Sequence, residues 1–179
     1  MLSSAQDFYA GEAGSQEHIW QATLSKNAVV FVNHPACSSE SEAVKPNFWA
    51  GNTILPRVAQ WKDTLIAIYR LPDNDWMGFT HAYFPIYAFD EYTLHHNWAF
   101  ARKSEGYLAL YATNGLTLTQ TGNFAFRELR SHGKNITWLC LTGSAALDGA
   151  FSAFQQKVLA LPLQSTDDTF QITTLRNEQ

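Results

Sequence analysis

The runs Trp98–Lys103 and Tyr107–Ala112 are separated only by Ser104, Glu105 and Gly106, and no other feature constrains the fold as tightly. A connection this short joins antiparallel strands, because a parallel crossover needs a dozen residues or more. Both runs are rich in aromatic and apolar residues suited to a pleated surface. Gly106 is placed to supply the positive φ of a hairpin loop.

The same grammar recurs along the chain. Ile19–Leu24 passes through Ser25, Lys26 and Asn27 into Ala28–Val32, which reads as a second hairpin. Thr64–Tyr69 is a short apolar run between Lys62-Asp63 and the turn-forming stretch Leu71–Asp75, the signature of a buried strand. From Trp76 to Tyr92 the chain is crowded with aromatics and broken by Pro85, which predicts strand pieces joined by an irregular loop. Asn114-Gly115 turns the chain into the alternating Leu116–Thr119, and Asn135–Leu141 has the β-branched and aromatic mixture of a core strand, ending at Thr142-Gly143.

After Asp148 the period changes. Phe151, Phe154, Val158 and Leu159 recur at helical spacing up to Pro162, with Asp148 placed to cap. A last strand includes Phe170, Ile172 and Thr174. Many short strands with one late helix and no strand–helix alternation predict an all-β fold, an antiparallel β-sandwich with one C-terminal helix. The chain of 179 residues suits one core. Residues 1–17, rich in Ser, Gly, Ala and acids, read as a flexible N-terminal arm, and 18–179 as a single domain.

Charge excludes some functions. A net charge of -4 with scattered Lys and Arg offers nothing for a phosphate backbone, so no nucleic-acid partner is expected. No long apolar run predicts a membrane span, and the start Met1-Leu2-Ser3-Ser4 lacks a leader, so the expected compartment is the cytoplasm. Cys37 lies in a polar stretch and Cys140 in an apolar strand, with no metal-ligating or redox spacing between them. Nucleophile-elbow, phosphate-loop and dinucleotide patterns are missing, and no metal or cofactor is expected.

The candidate chemistry lies in Phe79–Pro85. His81 and Tyr83 are two apart, so on a strand they share a face. Such a pair suits proton abstraction beside a carbonyl, the step that drives polysaccharide β-elimination. The plain alternative is a half-buried His bonded to backbone and a Tyr packed in the core. Asp90 and Glu91 are adjacent and diverge on an extended chain, as do His95 and His96, so neither pair forms a site alone. Glu128 and Arg130 share a strand face and read as a surface ion pair, while the fork of Arg127 suits a carboxylated sugar.

Several phrases carry a resemblance. These are Asn47–Asn52, Leu55–Trp61, His81–Pro85, Phe89–Tyr92 and Trp98–Lys103. Together they resemble the C-terminal β-rich region of large microbial proteins of the heparinase II/III-like group, in which a helical toroid precedes a β-supersandwich and the two share a polysaccharide-lyase cleft. The resemblance implies a supersandwich-like fold, an oligo- or polysaccharide ligand, and His34, His81 and Tyr83 as proton-transfer or sugar-contacting groups. The toroid itself is not in this chain, so a helical partner domain or a homo-oligomer would complete the cleft.

An aromatic share of 14%, with six Trp, fits stacking on sugars as well as core packing. Two functional expectations follow. One is a carbohydrate-associated β-sandwich, a binding module or part of a lyase-like protein, with His81 and Tyr83 as catalytic groups and His34, Trp49, Trp76 and Arg127 as contacts. The other is a structural or assembly domain without catalytic activity.

Overall fold

The computed structural model describes residues 2–4, 20–24, 30–34, 56–73, 78–122, 125–166 and 169–176. Among them the strands form two six-stranded sheets and a small two-stranded one. The first sheet contains β1 (Leu2–Ser4), β2 (Trp20–Thr23), β3 (Val30–His34), β6 (Phe79–Tyr83), β11 (Glu128–His132) and β10 (Thr117–Leu118), in that spatial order. The second contains β4 (Arg57–Trp61), β5 (Thr64–Arg70), β12 (Asn135–Ser144), β9 (Gly106–Ala112), β8 (Trp98–Lys103) and β7 (Glu91–His95). Every pairing is antiparallel. Two helices follow β12, α1 (Ala145–Asp148) and α2 (Phe151–Leu159), and then the hairpin β13 (Leu163–Ser165) and β14 (Phe170–Ile172).

The two large sheets face each other as a sandwich. Alternation along each strand delivers one set of side chains to the interior between them: Leu65, Ala67 and Tyr69 from β5, Leu108 and Leu110 from β9, and Ile136, Trp138 and Cys140 from β12. Ala22, Ala82 and Leu129 meet them from the first sheet. The opposite face of the second sheet is also covered. Phe151, Phe154 and Val158 of α2, with Phe170 and Ile172 of β14, pack on Phe100, Ala109, Leu139 and Leu141. Burial on both faces explains why Ile136–Leu141 is buried at every position and apolar at all but Thr137, where a one-sided strand would alternate. Each Leu or Ile so buried stabilises the fold by roughly 1.5–3 kcal/mol, which makes β12 the best-anchored strand.

The all-β sandwich with a late helix is therefore present, as are both predicted hairpins and the irregular Pro85 segment, a 3-10 turn at Ile86–Ala88. Details differ. In the β8–β9 hairpin the positive φ belongs to Ser104, at 52°. Gly106 is needed for another reason: a Cβ there would lie 1.9 Å from the Leu24 carbonyl oxygen. Asp148 does not cap α2, whose N-cap is Ala150 without a side-chain bond. It ends α1, and its Oδ2 accepts the Ser144 backbone N–H at 3.0 Å, closing that helix onto its own N-cap. Leu159 lies on the outer face of α2, 49% exposed, and the last strand stops at Ile172, short of Thr174. Strand β12 runs on to Ser144, past the predicted stop. Within the stretch read as an arm, Leu2–Ser4 forms edge strand β1 beside β2.

Arg176 closes the third layer. Its Nε donates to Asp63 Oδ2 at 2.5 Å and its Nη2 to the buried Asp148 at 3.3 Å, tying the C-terminal segment to the β4–β5 turn. Cys140 is buried, and burial pushes its thiol well above the ordinary value, the state of an unreactive core thiol. No helix among the described residues is long and apolar enough to cross a membrane.

Candidate functional site

The outer face of the first sheet gathers the polar groups of β6 and β11. Thr80 and Ala82 point inward, and Thr80 Oγ1 accepts the buried Trp138 Nε1–H at 2.6 Å. Period two then turns Phe79, His81 and Tyr83 outward. On β11, Leu129 enters the core, so Glu128, Arg130 and His132 join them on the outer face. The register sets Glu128 opposite Tyr83, Arg130 opposite His81, and His132 opposite Phe79. On the other side of β6 the backbone of His34 is opposite His81.

His81 and Tyr83 thus lie on one face of β6, as their spacing of two predicts, and Glu128 adds a carboxylate to that face. Glu128 Oε2 lies 3.8 Å from His81 Nδ1, beyond hydrogen-bond length. Arg130 Nε donates to Glu128 Oε1. The Arg130 guanidinium also rests 4.4 Å over the Phe79 ring, which fixes its approach to the carboxylate. The pair expected at the surface is therefore one-sided: the Glu128 side chain is fully buried and Arg130 is 31% exposed. His81 is fully buried as well, a position that keeps its imidazole away from a polymer lying on the surface.

That one-sidedness makes removal of the two partners unequal. Arg130→Ala leaves a buried carboxylate stripped of its guanidinium, whereas Glu128→Gln leaves a partly exposed Arg that water can solvate. The first is expected to lower unfolding free energy by about 1–3 kcal/mol, discounted from the fully buried case, and the second by less. Urea unfolding of both variants checks the order; an equal or reversed ranking would contradict it.

Beyond Tyr83 the chain runs beside the residues that precede β11. Phe84 N–H donates to the Arg127 carbonyl at 2.7 Å and Ile86 N–H to the Phe126 carbonyl at 3.1 Å. Pro85 opens the 3-10 turn that lifts Tyr87 off the sheet, 62% exposed. The Arg127 guanidinium lies 5.5 Å from the centre of the Tyr87 ring, and among the described residues no carboxylate pairs with it. Phe126, beside it, is 45% exposed. Burial raises the phenol of half-buried Tyr83 above its ordinary value; the Tyr87 phenol adds to this and Arg127 opposes it. Tyr83 therefore stays a proton donor throughout the neutral range. Tyr83, Tyr87 and Arg127 form one aromatic and cationic ledge at the end of the first sheet.

Other candidates separate from this ledge. Trp49 and Trp76 lie outside the described residues, as does Cys37. Asp90 is exposed and accepts from Lys103 Nζ at 2.8 Å and Ser104 N–H at 2.7 Å, and Glu91 faces Arg102 at 3.4 Å, so these acids brace the β8–β9 turn. The Lys103 hydrogen bond, with that of Ser104 N–H, holds the Asp90 carboxyl below its usual range. His95 and His96 are exposed, and among the described residues no group of His, Cys, Asp and Glu is placed to hold a metal ion. An open pocket of about 440 Å³ lies where Lys62, Glu105, Gly143 and Arg176 meet, and another of about 500 Å³ at the β13–β14 hairpin; neither is lined by His81 or by the ledge.

Tyr87 and Phe126 were not legible as candidates in the sequence. The available signals were Pro85, which forces the chain off the ladder two residues before Tyr87, and the alternation of Glu128–His132. No family model, curated protein or solved structure matches this chain.

Proposed function

We propose that this is a carbohydrate-associated β-sandwich domain that binds an acidic oligo- or polysaccharide on the ledge of Tyr83, Tyr87 and Arg127. The observation that carries the reading is the exposed Arg127 guanidinium at 5.5 Å from an exposed Tyr87 ring. A ring face stacks on the apolar face of a sugar, and a guanidinium that no carboxylate pairs with among the described residues can take a uronate or sulfate in a forked pair. Tyr83, keeping its proton, donates to a sugar oxygen from the floor. The resemblance to the heparinase II/III-like group supports the same ligand class. Binding is favoured over lyase chemistry because the general base of that chemistry, His81, is fully buried.

Titration calorimetry with acidic and neutral oligosaccharides tests this. An acidic glycan is expected to bind with a dissociation constant below millimolar, weakening with salt. Tyr87→Ala and Arg127→Ala are each expected to weaken it about tenfold, the scale of one stacking or charge-assisted contact. No binding tighter than millimolar by any glycan sinks the proposal. The assembly reading has one observation in its favour, Trp61, which is 63% exposed on edge strand β4. A concentration-dependent mass in sedimentation that Trp61→Ser abolishes would support it instead.

A further inference from the structure

We propose that Phe126 is a second stacking residue of the ledge, held in place against the preference of its own backbone. The inference rests on the glycan-binding reading above and extends it to a residue outside the Tyr83, Tyr87 and Arg127 set.

Three non-glycine residues among those described have positive φ: Lys62, Ser104 and Phe126. Lys62 and Ser104 begin the tight turns of the β4–β5 and β8–β9 hairpins, where strand twist demands that conformation. Phe126, at 60°, lies in the longer β10–β11 connection. Its N–H donates to the Thr119 carbonyl at 2.7 Å, while Thr119 N–H reaches past it to the Glu128 carbonyl at 2.9 Å. The backbone pattern therefore asks for a left-handed residue at 126, and glycine meets that demand without strain. A bulky aromatic at positive φ is an outlier, and such outliers gather at binding sites.

Core packing does not account for the ring, which is 45% exposed. Its neighbours do. The Phe126 carbonyl accepts from Ile86 N–H, the residue before Tyr87, and Arg127 follows it directly. The exposed Phe126 is thus next in the chain to a guanidinium that no carboxylate pairs with among the described residues, and its backbone is bonded to the segment that carries Tyr87, a placement fitted to successive sugar units of an anionic chain. A lone acidic monosaccharide would engage one ring, and a longer oligomer both.

The test compares Phe126→Ala with Phe126→Gly in thermal melts and in titration with an acidic oligosaccharide that the unaltered protein binds. Both variants lose the ring, and only Gly relieves the backbone. Phe126→Gly is expected to melt about 2–4 °C above Phe126→Ala, and both are expected to bind the oligosaccharide several-fold more weakly. If both variants bind as tightly as the unaltered protein, the role of Phe126 falls and the ledge stands. If the Gly variant melts no higher than the Ala variant, the strain argument fails and the inference with it. If the unaltered protein binds no acidic glycan, the ledge reading itself has failed, and this inference goes with it.

Discussion

Trp138→Ala is expected to lower the unfolding free energy by about 3–5 kcal/mol, a large part of the roughly 5–15 kcal/mol that a domain possesses. Trp138 is fully buried between the two large sheets, on the strand covered from both sides. Its removal opens a cavity that neighbours on rigid ladders fill only in part. It also strands the Thr80 hydroxyl, which now accepts the indole N–H at 2.6 Å in the interior. Trp138→Phe retains much of the volume and loses only the donor, so it should cost less. Thr80→Val in the Trp138→Phe background removes the stranded hydroxyl and is expected to recover part of the loss. Urea unfolding of the three variants gives the comparison; a Trp138→Ala loss under about 1 kcal/mol would mean that the sheets close over the gap.

Gly106→Ala is expected to be nearly as damaging, at about 3 kcal/mol, by the opposite route of overfilling. The added methyl would sit 1.9 Å from the Leu24 carbonyl oxygen and 2.7 Å from its carbon. Backbone atoms cannot rotate away as a side chain can, so the end of β2 must separate from the start of β9. Gly122→Ala is the control. Gly122 has φ +74° with nothing within 4 Å of an added Cβ, and its loss reflects strain alone, about 1 kcal/mol. Equal losses for the two variants, read from denaturant midpoints at constant m-value, would remove the close-approach argument.

Gly106 also marks the limit of what the sequence discloses. The hairpin it belongs to was legible from Ser104-Glu105-Gly106, because turn length and composition are local. Its particular role was not, because the atom that forbids a side chain belongs to Leu24, a residue remote in sequence. The site divides in the same way. That His81 and Tyr83 share a face follows from a period of two and needs no tertiary information. That Glu128 is buried while Arg130 is not depends on what covers each position, and alternation says nothing of that. Asp148 was assigned to the wrong helix because α1 and α2 are separated only by Gly149 and Ala150, and one acid between two helical stretches suits either end. The ledge was hidden for a related reason: Arg127 meets Tyr87 only because the segment after β6 runs beside the segment before β11.

The place of β12 in the second sheet dictates an order of assembly. Strand β5 and strand β9 are not neighbours; each pairs with β12, which lies between them and is the last of that sheet's strands in the chain. Until β12 exists, the β4–β5 hairpin and the β7–β8–β9 meander are separate pieces with open edges. Folding during synthesis must therefore wait for most of the chain, and the long separation between β5 and β12 makes closure slow. The strand that stabilises the finished molecule most is the one a nascent molecule lacks longest, and the unpaired edges of β5 and β9 are where a growing chain is most exposed to mispairing with another.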